Sequence, residues 1–122
     1  MSPGLALGVS LAGGAGAVVR FVLDGLLSTR WRTPFPYAIL LINVSGSLLL
    51  GVLTGLVLVQ AASPSVATVI GAGFCGGFTT FSTVSYASVR LVREGRRGLG
   101  VLNAIGTLVL CVAAAAVGMT LT

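Results

Sequence analysis

The densest group of residues able to bind an ion lies in Gly71–Thr83, which reads Gly-Ala-Gly-Phe-Cys-Gly-Gly-Phe-Thr-Thr-Phe-Ser-Thr. Gly76-Gly77 followed by Thr79-Thr80 would make a poor continuous helix, so the stretch predicts a break within an apolar segment. Backbone carbonyls freed by a break are hard, uncharged ligands that suit a monovalent ion such as sodium. The chain has no His and two Cys without ligand spacing, which argues against a zinc or copper site.

Polar side chains are few in the other apolar segments, where each is a candidate for function or for a helix contact. Asn43 offers two amide N–H donors that could replace water around a small anion, and it could equally join two helices. Asn103 and Thr107 lie four apart in the last segment and line either a wet path or a helix contact. Arg20 and Asp24 are also four apart, and either pair with each other or leave Arg20 to attract anions at a pore mouth.

Composition requires that these residues lie in a membrane. Of the 122 residues, 56% are hydrophobic and 7% are charged, against about a quarter charged in soluble domains. The apolar blocks are each near the ~20 residues that cross a bilayer as a helix. We predict an all-α membrane protein with helices at about residues 5–27, 36–60, 66–89 and 99–121, in a single domain over residues 1–122. The third helix is the one predicted to break at mid-membrane.

The distribution of charge predicts an orientation. The sequence has seven basic residues and a net charge of +5. Six of the arginines lie around two of the three links, at Arg30, Arg32, Arg90, Arg93, Arg96 and Arg97. Because four spans place those two links on the same side, the positive-inside rule predicts that both are cytoplasmic and that both termini are outside. The cluster therefore indicates a topology signal, with anionic lipid headgroups as a secondary partner and no nucleic acid.

Three motifs occur in a characteristic order: Gly-Gly-Ala-Gly-Ala-Val-Val-Arg at 13–20, Asn-Val-Ser-Gly-Ser at 43–47, and Gly-Phe-Cys-Gly-Gly-Phe-Thr-Thr-Phe-Ser-Thr at 73–83. In order and spacing they resemble the CrcB/Fluc family of fluoride channels. The resemblance implies passive export of fluoride across the cell membrane, which lowers fluoride toxicity in the cytoplasm. It further implies two four-helix subunits packed antiparallel, two pores, and a structural sodium ion at the dimer centre.

The resemblance also assigns roles by position. It makes Gly76 and Thr79 the sodium ligands through their backbone carbonyls, Asn43 a pore amide, and it places Arg20 near a vestibule. Phe81 falls in the aromatic pore wall, where the positive edge of its ring could contact fluoride while Asn43 donates hydrogen bonds. The set of pore residues is completed by three hydroxyl side chains, Thr80, Ser82 and Thr107.

The chain departs from the family pattern at four positions, with Val84 for a second pore Phe, Ala87 for Glu, Ile39 for Thr and Asn103 for Tyr. A homodimer with one inverted subunit needs a chain that inserts both ways, and a loop bias of six arginines to none is far from balanced. We therefore hypothesise a heterodimer with a related four-helix subunit of opposite bias, which supplies the missing Phe. A homodimer stays as the alternative.

Two other functions compete with the channel. A small dual-topology drug/proton exporter also uses four spans, but it needs a membrane-embedded carboxylate, and this chain has only Asp24 near a helix end and Glu94 in a link. A non-conducting subunit of a membrane complex is favoured if Val84 and Ala87 abolish the pore. An enzyme is not expected, because no nucleophile has a base partner and the chain has no His.

Overall fold

The computed structural model describes residues 2–122, and their regular structure is all helical. The elements are α1 (Pro3–Arg30), α2 (Tyr37–Leu58), α3 (Pro64–Thr68), a π-helix (Val69–Cys75), α4 (Gly76–Phe78), α5 (Phe81–Arg93) and α6 (Arg97–Thr120). Four helical stretches are long and apolar enough to cross a membrane, the third being Pro64–Arg93 as a whole. This confirms the prediction of an all-α, multi-pass membrane protein. That residues 1–122 form one domain stays a prediction.

The helix ends differ from the predicted ones by a few residues because polar side chains bond to their own helix. Ser2 caps α1, accepting from the Leu5 backbone N–H at 3.1 Å. The helix then runs to Arg30, past the predicted end at residue 27, since Ser28 Oγ donates to Asp24 Oδ1 at 3.1 Å. Ser28 and Thr29, which look like link residues in the sequence, thus lie within the helix.

The third span changes its backbone conformation along its length. Its first half contains the π-helix, a rare conformation that occurs mostly as single turns and often at functional sites. Gly76 and Gly77 are helical, whereas Thr79 (φ −83°, ψ 160°) and Thr80 (φ −150°, ψ 122°) are extended. Helical structure resumes at Phe81, so the interruption falls on the two threonines and not on the glycine pair.

Glycines let α1 approach the third span at backbone distance. A Cβ added at Gly77 would clash with the carbonyl oxygen of Gly13, and one added at Gly16 would clash with that of Phe74. One added at Gly73 would meet the Val9 carbonyl oxygen at 2.9 Å. Close approach through small residues is the usual way that membrane helices pack. It fixes the third span against α1 and leaves its other face toward α2 and α6.

Candidate functional site

An open groove of about 640 Å³ lies between α2, the third span and α6. Six of the eight residues predicted to contact ions line this groove, and they are Asn43, Gly76, Thr79, Thr80, Phe81 and Thr107. The remainder of the lining is mainly apolar and includes both cysteines, which are free thiols. The structure therefore brings together residues from three spans that the sequence places up to 64 positions apart, from Asn43 to Thr107.

Asn43 bonds both backbone groups of Thr80. Its Oδ1 accepts from the Thr80 backbone N–H at 2.8 Å, and its Nδ2 donates to the Thr80 carbonyl oxygen at 3.2 Å. Asn43 is only 5% exposed. In lipid, backbone groups released by a break must find partners within the protein. The amide of α2 supplies those partners, and this explains how extended backbone is accommodated at Thr80.

Arg20 bonds the other extended residue. Its Nη1 donates to the Thr79 carbonyl oxygen at 3.3 Å, across 59 positions of sequence. The pairing of Arg20 with Asp24 considered from their spacing is not the arrangement found, since Asp24 accepts a hydrogen bond from Ser28. Arg20 does not line the groove and approaches the break from the α1 side. Two side chains on different helices thus hold the interruption from opposite directions.

The interruption releases the carbonyl of Gly76. In a continuous helix the Thr80 N–H would bond to this oxygen, four residues earlier, but here it bonds to Asn43. Thr79 differs, because its N–H bonds to the Cys75 oxygen at 2.9 Å and its carbonyl accepts from Arg20. A Cβ added at Gly76 would meet no atom within 4 Å, so the residue faces open space in the groove.

Most hydroxyl hydrogens beside the groove are already used. Thr79 Oγ1 donates to the Cys75 carbonyl at 2.8 Å, and Thr80 Oγ1 donates to Thr83 Oγ1 at 3.2 Å. The Asn43 amide has two hydrogens, of which one bonds to Thr80 within residues 2–122. The second hydrogen is therefore a donor in the groove with which an anion could interact. A groove with so few donors would bind an anion weakly.

Two predicted pore residues, Phe81 and Ser82, lie at the edge of the groove. Phe81 borders the groove and is 86% exposed, the largest exposed fraction among the large hydrophobic side chains. Ser82 is exposed outside the groove, and its Oγ lies 3.2 Å from Thr80 Oγ1. Neither side chain contributes to the packing of this chain. Both side chains are free to contact an ion or another protein chain that lies against the groove.

Asn103 belongs to a helix contact instead of a wet path. It is 1% exposed, and its Nδ2 donates to Ser88 Oγ at 2.9 Å and to the Val84 carbonyl at 3.4 Å. Thr107 Oγ1 lies 3.5 Å from Asn103 Oδ1 while bordering the groove. The two polar residues predicted to act together in the last span thus differ in role. Asn103 joins α5 to α6, and Thr107 faces the groove.

The roles of Asn43 and Arg20 at the break are what sequence reasoning missed. A signal for Asn43 existed, because a break predicted in an apolar span needs polar side chains from other spans to satisfy its backbone. Asn43 is the only Asn or Gln within the second predicted span apart from Gln60 at its end. No comparable signal identifies Thr79 as the partner of Arg20.

The fold and the groove define a polytopic α-helical membrane protein in which an interrupted span and an amide line a groove between helices. The chain belongs to the family described as CrcB-like protein, Camphor Resistance (CrcB), whose model matches residues 7–119. The family predicted from the three motifs is therefore confirmed.

Similar proteins cover nearly the whole chain. A protein of Leifsonia xyli subsp. xyli named Fluoride-specific ion channel FluC 1 is 43% identical over 121 residues, which are 99% of this chain and 88% of the relative. Fluoride-specific ion channel FluC 2 of Cutibacterium acnes is 45% identical over 116 residues, 94% of each chain. Fluoride-specific ion channel FluC 2 of Mycolicibacterium paratuberculosis is 42% identical over 115 residues, 94% of this chain and 91% of the relative.

Proposed function

We propose that this chain is a subunit of a fluoride-specific ion channel that lets fluoride leave the cell passively. The observation that carries the proposal is the groove in which Asn43, the break at Thr79–Thr80 and Phe81 meet. The relatives are named as fluoride-specific ion channels at 42–45% identity. A channel is not an enzyme, in agreement with the function predicted from the sequence.

The proposed path runs along the groove past Asn43 and Phe81. The spare Asn43 N–H donates to the ion, and the positive edge of the Phe81 ring contacts it from the exposed side. Thr80 and Thr107 add hydroxyl groups along the path, Ser82 adds one at its edge, and Arg20 adds a positive charge behind the break at Thr79. None of the uncharged contacts is strong enough to trap the ion, so it can leave again. We place the break at mid-membrane, where extended backbone is tolerated because it is buried in protein.

The groove suits a structural sodium ion at the carbonyls of Gly76 and Thr79. The Gly76 oxygen has lost its helical partner, and the Thr79 oxygen keeps a lone pair beside the bond from Arg20. Uncharged hard oxygens are ligands for a small monovalent cation. Two oxygens are too few to bind it, and an inverted second subunit would supply two more. When bound, sodium would neutralise the carbonyl dipoles and hold the two subunits together.

Removal of sodium tests this site. We expect the assembled protein to melt at a lower temperature in N-methylglucamine than in sodium, because a ligand that binds only the folded assembly stabilises it by mass action. Thermal unfolding followed at a series of sodium concentrations measures the effect. Thr79→Val removes the hydroxyl but keeps the backbone carbonyl, so this variant should retain the sodium dependence. Equal melting temperatures in the two cations would contradict the sodium site.

A partner subunit is proposed to cover the groove. Phe81 and Ser82 project from this chain without packing against it, and the position of the second aromatic residue is occupied by Val84, 8% exposed in the core. We favour a related four-helix chain over a second copy because the arginines in the links give this chain one direction of insertion. In the cell membrane the two basic links are then cytoplasmic and both termini are outside.

Fluoride efflux from reconstituted vesicles tests the function and the partner together. The chain is purified alone and after co-expression with a second CrcB-like chain whose links lack the arginine excess. We expect little efflux from the chain alone and rapid efflux from the pair, with chloride excluded in both cases. Rapid efflux from the chain alone would favour the homodimer. Absence of efflux from both preparations would contradict the channel and favour a non-conducting subunit.

A proton-coupled exporter is disfavoured by the position of the one acidic residue in a span. Asp24 accepts a hydrogen bond from Ser28 and lies within the last two turns of α1. Coupled exporters use a carboxylate within the membrane that exchanges protons with the substrate. Efflux that is independent of a proton gradient separates the two functions.

A further inference from the structure

A second cavity lies between the α1–α2 link, the start of α2 and α5, one helical turn from the groove. This polar chamber has a volume of about 380 Å³ and is lined by residues that include Asp24, Arg32, Tyr86, Ala87 and Arg90. Its lining holds two guanidinium groups and one carboxylate, so positive charge is in excess. An electropositive cavity raises the local concentration of anions. The chamber lies beside the α1–α2 link, where it would meet water at the membrane surface.

Buried aliphatic side chains separate the chamber from the groove. Ile39, 5% exposed, lines the chamber one turn before Asn43, which lines the groove. Val84, 8% exposed, lines the groove, and its neighbours Thr83 and Ala87 on α5 line the chamber. Ile39 and Val84 belong to one apolar cluster together with Ile42 and Phe78. The apolar cluster thus lies between the Asn43 amide in the groove and the polar chamber, about one helical turn, or ~5.4 Å, along each helix. The hydroxyls of Thr80 in the groove and Thr83 in the chamber, 3.2 Å apart, lie beside it.

We propose that Ile39 and Val84 form a hydrophobic constriction that limits the rate at which fluoride passes between the groove and the polar chamber. This inference rests on the proposed channel function. Apolar constrictions in channels restrict conduction because water withdraws from them and an ion must shed hydration without gaining new partners. The amide of Asn43 lies on one side of the constriction, and the arginines of the chamber lie on the other. Ion transfer would then be slowest beside Ile39 and Val84, whose side chains offer no hydrogen bond.

Threonine substitutions test the constriction, since threonine has nearly the volume of valine but carries a hydroxyl group. Ile39→Thr and Val84→Thr each place a hydroxyl where the ion lacks a partner, and one hydrogen bond of ordinary net strength would raise the rate about tenfold. Fluoride efflux is measured in whichever assembly conducts, this chain alone or the co-expressed pair. Ile39→Val is the matched control for Ile39→Thr, because valine and threonine have nearly the same volume and valine adds no polar atom. For Val84→Thr the wild-type valine is itself that control.

We expect each threonine variant to conduct faster than the protein with valine at the same position, which is Ile39→Val for residue 39 and the wild type for residue 84. Size-exclusion profiles and melting temperatures identify any variant that does not assemble. Equal efflux with threonine and with valine at both positions in a conducting assembly would overturn the constriction and leave the channel intact. Absence of efflux from the wild type and every variant would overturn the channel function and the constriction with it.

Discussion

Asn43→Asp is expected to reduce fluoride efflux about a thousandfold in the assembly that conducts. Two unit charges about 4 Å apart repel by ~4 kcal/mol at an effective dielectric constant of 20, which corresponds to a factor of about a thousand in rate. The substitution changes hardly any volume. It replaces the free N–H donor of the groove by a negative charge, and it removes the donor to the Thr80 carbonyl while keeping the acceptor for the Thr80 N–H.

The matched control for Asn43→Asp is a substitution two residues further along α2. Ser45 is exposed, and its Oγ donates to the Ile42 carbonyl of its own helix at 3.0 Å, so Ser45→Ala should leave efflux unchanged. Comparing the two variants in vesicles of equal protein content measures the effect of the groove amide. Efflux from Asn43→Asp within tenfold of the wild type would place the ion path away from Asn43.

The four spans could be predicted from the sequence because bilayer thickness sets a length that a helix must reach. Hydropathy alone placed the four spans, and their ends shifted by a few residues where side chains such as Ser28 bond within the helix. The composition of residues 71–83 predicted irregular backbone as well. Glycine content suggested Gly76–Gly77 for its position, whereas the extended residues are Thr79 and Thr80. Glycine permits a departure from helix, but the side chains that satisfy the released groups determine where it occurs.

The partners of the break could not be predicted in the same way, because they are contacts between distant parts of the chain. Arg20 and Thr79 are 59 positions apart, and Asn43 and Thr80 are 37 apart. Local periodicity contains no information on such pairs. The spacing of Arg20 and Asp24 even suggested a different bond, within α1. Similarly, Asn103 has the spacing of a path-lining residue, and only its 2.9 Å bond to Ser88 identifies it as a helix contact.

Gly77→Ala is expected to prevent α1 from packing against the third span and to destabilise the protein by about 3 kcal/mol or more, the upper part of the range for overpacked cores. The added methyl group would clash with the Gly13 carbonyl oxygen and lie 3.0 Å from the Gly13 Cα. Both obstacles are backbone atoms, so no side-chain rotation can relieve them. Since α1 also brings Arg20 to the Thr79 carbonyl, the displacement should disturb the break as well. Thermal unfolding and the yield of monodisperse protein measure the loss.

The neighbouring glycine provides the matched control for this prediction. A methyl group at Gly76 would meet no atom of the chain within 4 Å, and Gly76 has helical φ and ψ of −61° and −38°. Gly76→Ala should therefore leave the fold of the single chain intact. Because Gly76 faces the groove that a partner is proposed to cover, the same variant should weaken assembly. Equal stability of the two variants as separate chains would show that contact between Gly13 and Gly77 does not set the packing of α1.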